Sequence, residues 1–310
     1  MRRFDVTIAG ELNLDLILYG LPADLGRERE LLADDMVLTL GSSSAIVAHN
    51  LASLGSRVGF QSLIGDDPHG NIALERLTQS SVDISRVRTS KSLATGLSVI
   101  LQRDGWRNIL TYSGAISKLA LDDLDLNYLC DARHFHLSSY YLQTSLRPHV
   151  PELFRRLKSA GLTISLDTND DPEDRFDGDI LKVLRQVDIF LPNRREACKI
   201  AATDNLEVAM KKLAEIVPLV VVKLGAEGAV ALRNGERIEA EALTVEVVDA
   251  VGAGDSFDAG FLHAYLKGQP LKDCLASGNA AGALCTTRPG GTEAFRNRES
   301  LQRRRTNLLT

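Results

Sequence analysis

A chain of 310 residues, 44% of them hydrophobic, is long enough for one large α/β domain or two modest ones. Its net charge of −5 at pH 7 argues against a nucleic-acid or anionic-membrane partner, and its longest apolar runs are strand-sized, too short to span a bilayer. Asp5, Glu11 and Asp15 interrupt any signal-peptide core after Met1-Arg2-Arg3, and Cys130, Cys198, Cys274 and Cys285 lack C-x-x-C spacing, so a cytoplasmic protein with idle thiols is expected.

Phe4 to Gly10 reads as a buried strand. Leu12 to Tyr19 alternates Leu12, Leu14, Leu16 and Leu18 with Asn13, Asp15 and Ile17, the period of a strand with one exposed face. Gly20 to Asp35 is polar and irregular. Leu38 to Leu40 leads into Gly41-Ser42-Ser43-Ser44, where a helix begins that runs to about Leu54 and is ended by Gly55. Arg57 to Gly65 is a strand, and Asp66-Asp67-Pro68-His69-Gly70 opens a helix to about Gln79. Gly96–Gln102 and Arg107–Tyr112 form a hairpin across Arg103-Asp104-Gly105-Trp106. With Leu12–Tyr19 this hairpin predicts a small sheet beside the main one.

From about Leu121 strands and helices alternate. The predicted strands are His134–Ser138, Leu162–Asp167, Val187–Leu191, Leu219–Leu224 and Ala229–Arg233. The predicted helices are about Ser145–Ala160, Asp179–Gln186, Arg194–Ala202, Leu206–Val217, Asp255–Lys267 and Leu271–Thr287, with a short tail helix from Asn297. That rhythm implies a doubly wound parallel sheet, which binds ligands beyond the carboxyl ends of its strands. Asp15, Asp167, Asn193, Gly225 and Gly252 all end or follow strands in this reading.

The chemistry concentrates in Val248 to Phe261. The β-branched run Leu243–Val248 predicts a strand, and Phe257, Phe261, Leu262, Tyr265 and Leu266 recur at helical spacing. Gly252-Ala253-Gly254 is then the hinge into a helix N-terminus, whose unpartnered N–H groups and positive dipole end suit an anion. Asp255 sits at that end, where the field should favour its ionised form. An anion hole beside a carboxylate can receive a phosphoryl group while the carboxylate takes the proton of an attacking hydroxyl. The segment also reads as a plain turn with a capping Asp, although Asp249, six residues earlier, adds a second carboxylate. No G-x-x-x-x-G-K-[ST] is present, and no G-x-G-x-x-G follows Gly10, which disfavours a nicotinamide-dependent oxidoreductase.

Asp249-x-x-Gly252-Ala253-Gly254-Asp255 resembles the signature of the ribokinase family of carbohydrate kinases, also called the phosphofructokinase-B family. The resemblance implies a ribokinase-like α/β fold over residues 1–310: a three-layer, doubly wound, mostly parallel sheet, with a small β lid from inserts at about 12–39 and 92–113. It implies that Asp255 is the catalytic base and that the Gly252, Ala253 and Gly254 amides hold the transferring phosphate. Gly41 to Gly55 resembles the family's first signature, but Ser42 replaces its second Gly and Ile46 replaces an Asn that usually contacts the sugar. Gly41, Ser42 and Ile46 are thereby placed at the substrate, and ribose is expected to be a poor one. Gly10 to Asp15 resembles the family's first strand end, where Asn13 and Asp15 would clasp substrate hydroxyls; they would equally suit a solvated strand face.

Pro192-Asn193-Arg194-Arg195-Glu196 resembles the family's Asn-x-x-Glu motif, in which Glu196 would organise Mg²⁺ through water; it also reads as a capping box. Lys223, Gly225 and Gly228 resemble the nucleotide loop, or form a plain turn, and Asn279 falls where the family lines the adenine pocket. Asn193 joins this ATP-binding group. In some members Asp249 and the region Thr287–Gly291 surround a K⁺ ion. The six His show no metal-pairing spacing and read as core or surface residues. The expected activity is ATP-dependent transfer of the γ-phosphoryl group to a sugar hydroxyl, with Mg²⁺ as cofactor and K⁺ as an optional one. A nucleoside or phosphosugar kinase, and a catalytically silent sugar-binding regulator, stay open as alternatives. A homodimer through the small sheet is the expected assembly.

Overall fold

The computed structural model describes residues 2–103 and 106–296. Its strands are β1 (Phe4–Ala9), β2 (Asn13–Tyr19), β3 (Asp35–Leu40), β4 (Val58–Gly65), β5 (Asp83–Ser90), β6 (Gly96–Arg103), β7 (Trp106–Tyr112), β8 (Ala132–Leu137), β9 (Thr163–Leu166), β10 (Ile189–Phe190), β11 (Leu219–Lys223), β12 (Ala229–Arg233) and β13 (Glu236–Ala240). Its helices are α1 (Ser43–Ser53), α2 (Pro68–Gln79), α3 (Leu126–Cys130), α4 (Val150–Ser159), α5 (Ile180–Leu184), α6 (Arg194–Ile200), α7 (Leu206–Ala214), α8 (Ala253–Leu266) and α9 (Leu271–Thr286).

The run Leu219-Val220-Val221-Val222 shows why three layers form. Val220 and Val222 pack into one apolar core, Leu219 and Val221 into another. A strand buried on both faces must lie between two helical layers. One core takes Leu153, Phe154 and Leu157 of α4 and Met210 of α7, while the other takes Val47 and Leu51 of α1 and Phe257 and Phe261 of α8. Nine strands form the main sheet in the order β13-β12-β11-β10-β9-β8-β1-β4-β5, parallel except at the β11–β12 and β12–β13 pairs. The second sheet, β3-β2-β6-β7, is the small one expected from the hairpin and the alternating strand.

Several expectations need correction. Leu243–Val248 is not a strand. The Val248 and Asp249 N–H groups donate to the Thr286 carbonyl, and Val247 and Val248 are exposed, so β-branched residues without an open sheet edge stay irregular. Gly252 therefore follows an irregular segment. β2 has no solvated polar face: Asn13, Asp15 and Ile17 are buried, turned towards the main body. The helix expected from Ser145 begins only at Val150, after a 3₁₀ turn at Arg147–His149 that accommodates Pro148. β5 and β13 were not foreseen. The tail from Asn297 and the turn at 104–105 lie outside the described residues.

Among the described residues no helix is long and apolar enough to cross a membrane, and all four cysteines are free. His134 and His136 are core residues hydrogen-bonded to Thr163, Ser165 and Ser138, and burial pushes their pKa values down to about 3 and about 4.

Candidate active site

Gly252 precedes α8 in the left-handed region, at φ 71°. A Cβ there would lie 2.4 Å from the Gly291 Cα, so the turn can pass only as glycine. The first α-helical bond shown across this turn runs from the Ser256 N–H to the Gly252 carbonyl, at 2.9 Å. The Ala253 N–H donates to the Ala250 carbonyl at 3.4 Å, and the amides of Gly254 and Asp255 form the open N-terminal turn of a 14-residue helix.

Asp255 is 8% exposed. Burial pushes its carboxyl up to about 6; the Asp167 charge adds to this, while Lys223 and hydrogen bonds from Ser43 and Asn169 oppose it. Burial thus works against the helix field, which was expected to favour the ionised form. A carboxylate titrating near 6 is still ionised at neutral pH and is more basic than an ordinary Asp, which suits proton abstraction.

Below Asp255 lies a second charged group, built from the carboxyl ends of three parallel strands. Asp167 follows β9, Lys223 ends β11, and Glu196 opens α6 just after β10. The Lys223 ammonium donates to Asp167 Oδ2 at 2.5 Å and to Asp258, on α8, at 3.3 Å. Burial alone would raise Asp167, but Lys223 holds it below the ordinary Asp value, whereas burial lifts Asp258 well above that value. One ammonium thus favours the ionised form of Asp167, while burial favours the protonated form of Asp258. A Cβ on Gly254 would stand 3.6 Å from Lys223 Nζ, so this cation lies against the anion turn.

The expected capping box is present: Asn193 accepts the Glu196 N–H, and Glu196 accepts the Asn193 N–H at 2.9 Å and its Nδ2 at 2.5 Å. Burial, then the Asp167 charge, pushes Glu196 up to about 8. Among the described residues no three His, Cys, Asp or Glu side chains converge as a metal-ligand set. Both oxygens of the Glu196 carboxylate are engaged by Asn193, an arrangement that fits a hydrated Mg²⁺ held through its waters better than one bonded directly.

From the small sheet, Asp15 reaches the same region. Burial raises its pKa to about 7, and the charges of Asp255 and Asp249 add to the effect. Asn13 Nδ2 lies 3.4 Å from both Asp15 Oδ1 and Ser98 Oγ. Gly41 is pressed against this pair, since a Cβ there would lie 2.2 Å from Asp15 Oδ1. Ser42 caps α1, accepting the Ala45 N–H at 3.3 Å. Ile46 is 2% exposed and fills the space beside Gly252 and Gly291. Asp249 accepts the Val251 N–H at 2.9 Å, the Gly290 N–H at 3.0 Å and the Tyr19 hydroxyl at 2.8 Å.

Gly225 and Gly228 frame a 3₁₀ turn at φ 61° and 97°. Asn279 Nδ2 donates to the Ala240 and Glu241 carbonyls, each at 2.9 Å, which ties the end of β13 to α9. A cleft of about 420 Å³ opens beside this loop, lined by Arg194, Leu206, Leu224, Glu227, Arg237 and Ala240 among others. The structure thus brings Asn13, Asp15, Gly41 and Asp249 to Asp255, and Asn193, Glu196 and Lys223 to the layer beneath. Sequence reading did not single out Asn169, Asp258 or Tyr19. Asp258 alone left a signal, one helical turn after Asp255.

Residues 4–298 match the model of the pfkB family of carbohydrate kinases. The chain belongs to that family. It is 30% identical over 275 residues to the 2-dehydro-3-deoxygluconokinase of Bacillus subtilis, covering 84% of this chain and 85% of that protein. A candidate ribokinase II from E. coli, solved in complex with ATP and Mg²⁺, is 26% identical with a TM-score of 0.82 and covers 97% of this chain and 99% of its own. Arabidopsis thaliana ribokinase, solved with ribose and ATP, is 25% identical with a TM-score of 0.82 and covers 97% and 98%. The protein is a carbohydrate kinase with the ribokinase-like fold.

Proposed function

We propose that this kinase transfers the γ-phosphoryl group of ATP to a hydroxyl of a sugar or sugar-like substrate, with Asp255 as base. The observation that carries the reading is one buried carboxylate, titrating near 6, at the open amides of α8 and facing Asp15 of the small sheet. Asn13 and Asp15 hold the acceptor hydroxyls against the Gly41–Ser42 turn. Asp255 takes the proton of the attacking hydroxyl, and the amides of the 252–254 turn meet the charge on the transferred group.

Asn193, Lys223, Gly225, Gly228 and Asn279 serve the nucleotide side. A hydrated Mg²⁺, reached from Glu196 through water, would supply charge neutralisation at the phosphates. Asp249 and the 287–291 segment are the proposed K⁺ position. The small sheet closes over the site as a lid and limits ATP hydrolysis. Ile17 and Ile100 of that sheet pack on Val251, next to the anion turn, which supports this role. Met36, Ile109, Leu110 and Tyr112, all more than half exposed on its edge strands, support a homodimer through the same sheet. A phosphosugar acceptor is disfavoured, because Asn13, Asp15, Ser98 and Gly41 offer no cation.

A coupled ADP-release assay over D-ribose, D-fructose, 2-dehydro-3-deoxygluconate and nucleosides tests the reading. One of the sugars is expected to turn over, and Asp255→Asn to fold normally and lose ~10²–10⁴-fold in rate. Ribose should be poor, because a hydroxyl facing Ile46 finds no partner, at a cost of about 1–3 kcal/mol. Near wild-type turnover in Asp255→Asn would remove the base assignment. Ribose as the best substrate by a wide margin would remove the role given to Ile46.

A further inference from the structure

Asn169 belongs to none of the motifs used so far. It follows β9 with φ at 52°, and Ser139, after β8, has the same φ. Asn enters the left-handed region more easily than most residues, Ser less so, and paired departures of this kind gather at functional edges. Both ends of the Asn169 amide are engaged. Its Oδ1 accepts the Ser139 N–H at 2.8 Å, and its Nδ2 lies 3.4 Å from Asp255 Oδ1. The Ser139 N–H needs an acceptor, so the orientation of the amide is settled and its NH₂ end faces the base. The Asn169 backbone N–H donates to Asp167 Oδ1 at 3.2 Å, and Asp167 is clamped by Lys223. The buried ion pair therefore fixes the loop from which the amide projects.

We propose that Asn169 is a positioning residue that holds the Asp255 carboxylate in line for the acceptor hydroxyl. The proposal rests on the reading of Asp255 as base. A donor aimed at a carboxylate also favours its ionised form, so Asn169 offsets part of the effect of burial on Asp255. The other charged or titratable groups around Asp255 are Asp15 on β2, Asp167, Lys223, Asp258, Asp249 and Cys285. None of them is substituted by a neutral change at Asn169, and the Asn169 backbone N–H that Asp167 accepts is kept, so a difference between variant and wild type reports the amide side chain.

The experiment uses the full chain with γ-¹³C-aspartate, the Asp255 resonance being the one lost in Asp255→Asn. Asn169→Gly suits the positive φ and removes the amide without strain. Asn169→Ser, a residue that already adopts this φ at Ser139, removes the amide without adding a charge and covers the case in which the glycine variant fails to fold. The Asp255 midpoint, near 6 in the wild type, is expected to rise by roughly one pH unit in both variants. At pH 8.5, with the best of D-ribose, D-fructose and 2-dehydro-3-deoxygluconate, kcat is expected to fall about tenfold while the sugar KM stays within about twofold. An unmoved midpoint, or a raised KM with kcat unchanged, would overturn the proposal. Turnover persisting in Asp255→Asn would instead overturn the base reading, so the two failures are told apart.

Discussion

Replacing Gly252 by alanine should damage this kinase far more than replacing Gly254, though both glycines stand in one turn. Gly252 is at φ 71°, and its Cβ would meet the Gly291 Cα at 2.4 Å and Ile46 Cδ1 at 3.3 Å. Gly291 cannot retreat easily: Asn50 Nδ2 donates to its carbonyl at 3.0 Å, and Ile46 already presses on it. A left-handed alanine costs about 1–2 kcal/mol, and overpacking about 1–3 kcal/mol. The stiffer unfolded chain returns about 0.4–1 kcal/mol. The net loss is about 1–4.6 kcal/mol, or a melting temperature lower by roughly 2–9 °C for a chain of this size. The amides of Gly254 and Asp255 move with the turn, and a displacement near 1 Å costs about 10²-fold in rate. At Gly254 a Cβ meets only Lys223 atoms, at 3.6 to 3.9 Å, an ordinary contact. Gly254→Ala should therefore melt within roughly 2 °C of the wild type. Thermal unfolding and ADP release on the two variants check this. Equal damage in both, or a Gly252→Ala protein that melts and turns over like the wild type, would refute the reasoning.

A base that must be ionised gives a rate that rises with pH, so kcat should climb through an acid limb with its midpoint near 6 and level off above it. Asp15, raised to about 7 by burial and by the neighbouring Asp charges, should broaden that limb; a flat profile between pH 5 and 8 would contradict both. Asn13→Ala or Asp15→Ala should raise the sugar KM about 10- to 100-fold and leave the ATP KM within about threefold, as loss of a hydrogen bond to a charged group predicts. Equal rises would place these residues elsewhere. Lys223→Met strands the buried Asp167 charge, so stability at pH 7–8 should fall by about 3–5 kcal/mol. Without its ammonium, Asp167 has a folded pKa above its unfolded one. The loss should then shrink as pH falls and the carboxyl takes up a proton, a sign that chemical unfolding at pH 5 and pH 8 can check.

The central strands could be read from sequence, because burial on both faces demands unbroken apolar runs such as Leu219–Val222. β5 and β13 could not, and they are the two edges of the main sheet. An edge strand can carry charge, and Arg86 and Arg88 on β5, like Glu236, Arg237 and Glu239 on β13, erase the apolar pattern. Leu243–Val248 fails in the opposite sense. Its side chains suit a strand, but its backbone N–H groups find the Thr286 carbonyl instead of a partner strand. Strand composition reports how a side chain packs, and pairing depends on where an edge stands open.

The same division runs through the site. The turn at Gly252 and the carboxylate at Asp255 are local, so a window of seven residues displays them. The charge state of Asp255 is not local. Its place at a helix N-terminus should favour the ionised form, yet burial and Asp167, 88 positions away in the chain, push it up to about 6. The group that offsets this, Asn169, lies on a loop with no recognisable spacing, and reaches Asp255 only because β9 and α8 meet above the sheet. Residues that define the motif shape the backbone turn that leads into α8. Residues that set the charge state of Asp255 come from strand ends scattered through the chain, joined by a doubly wound sheet.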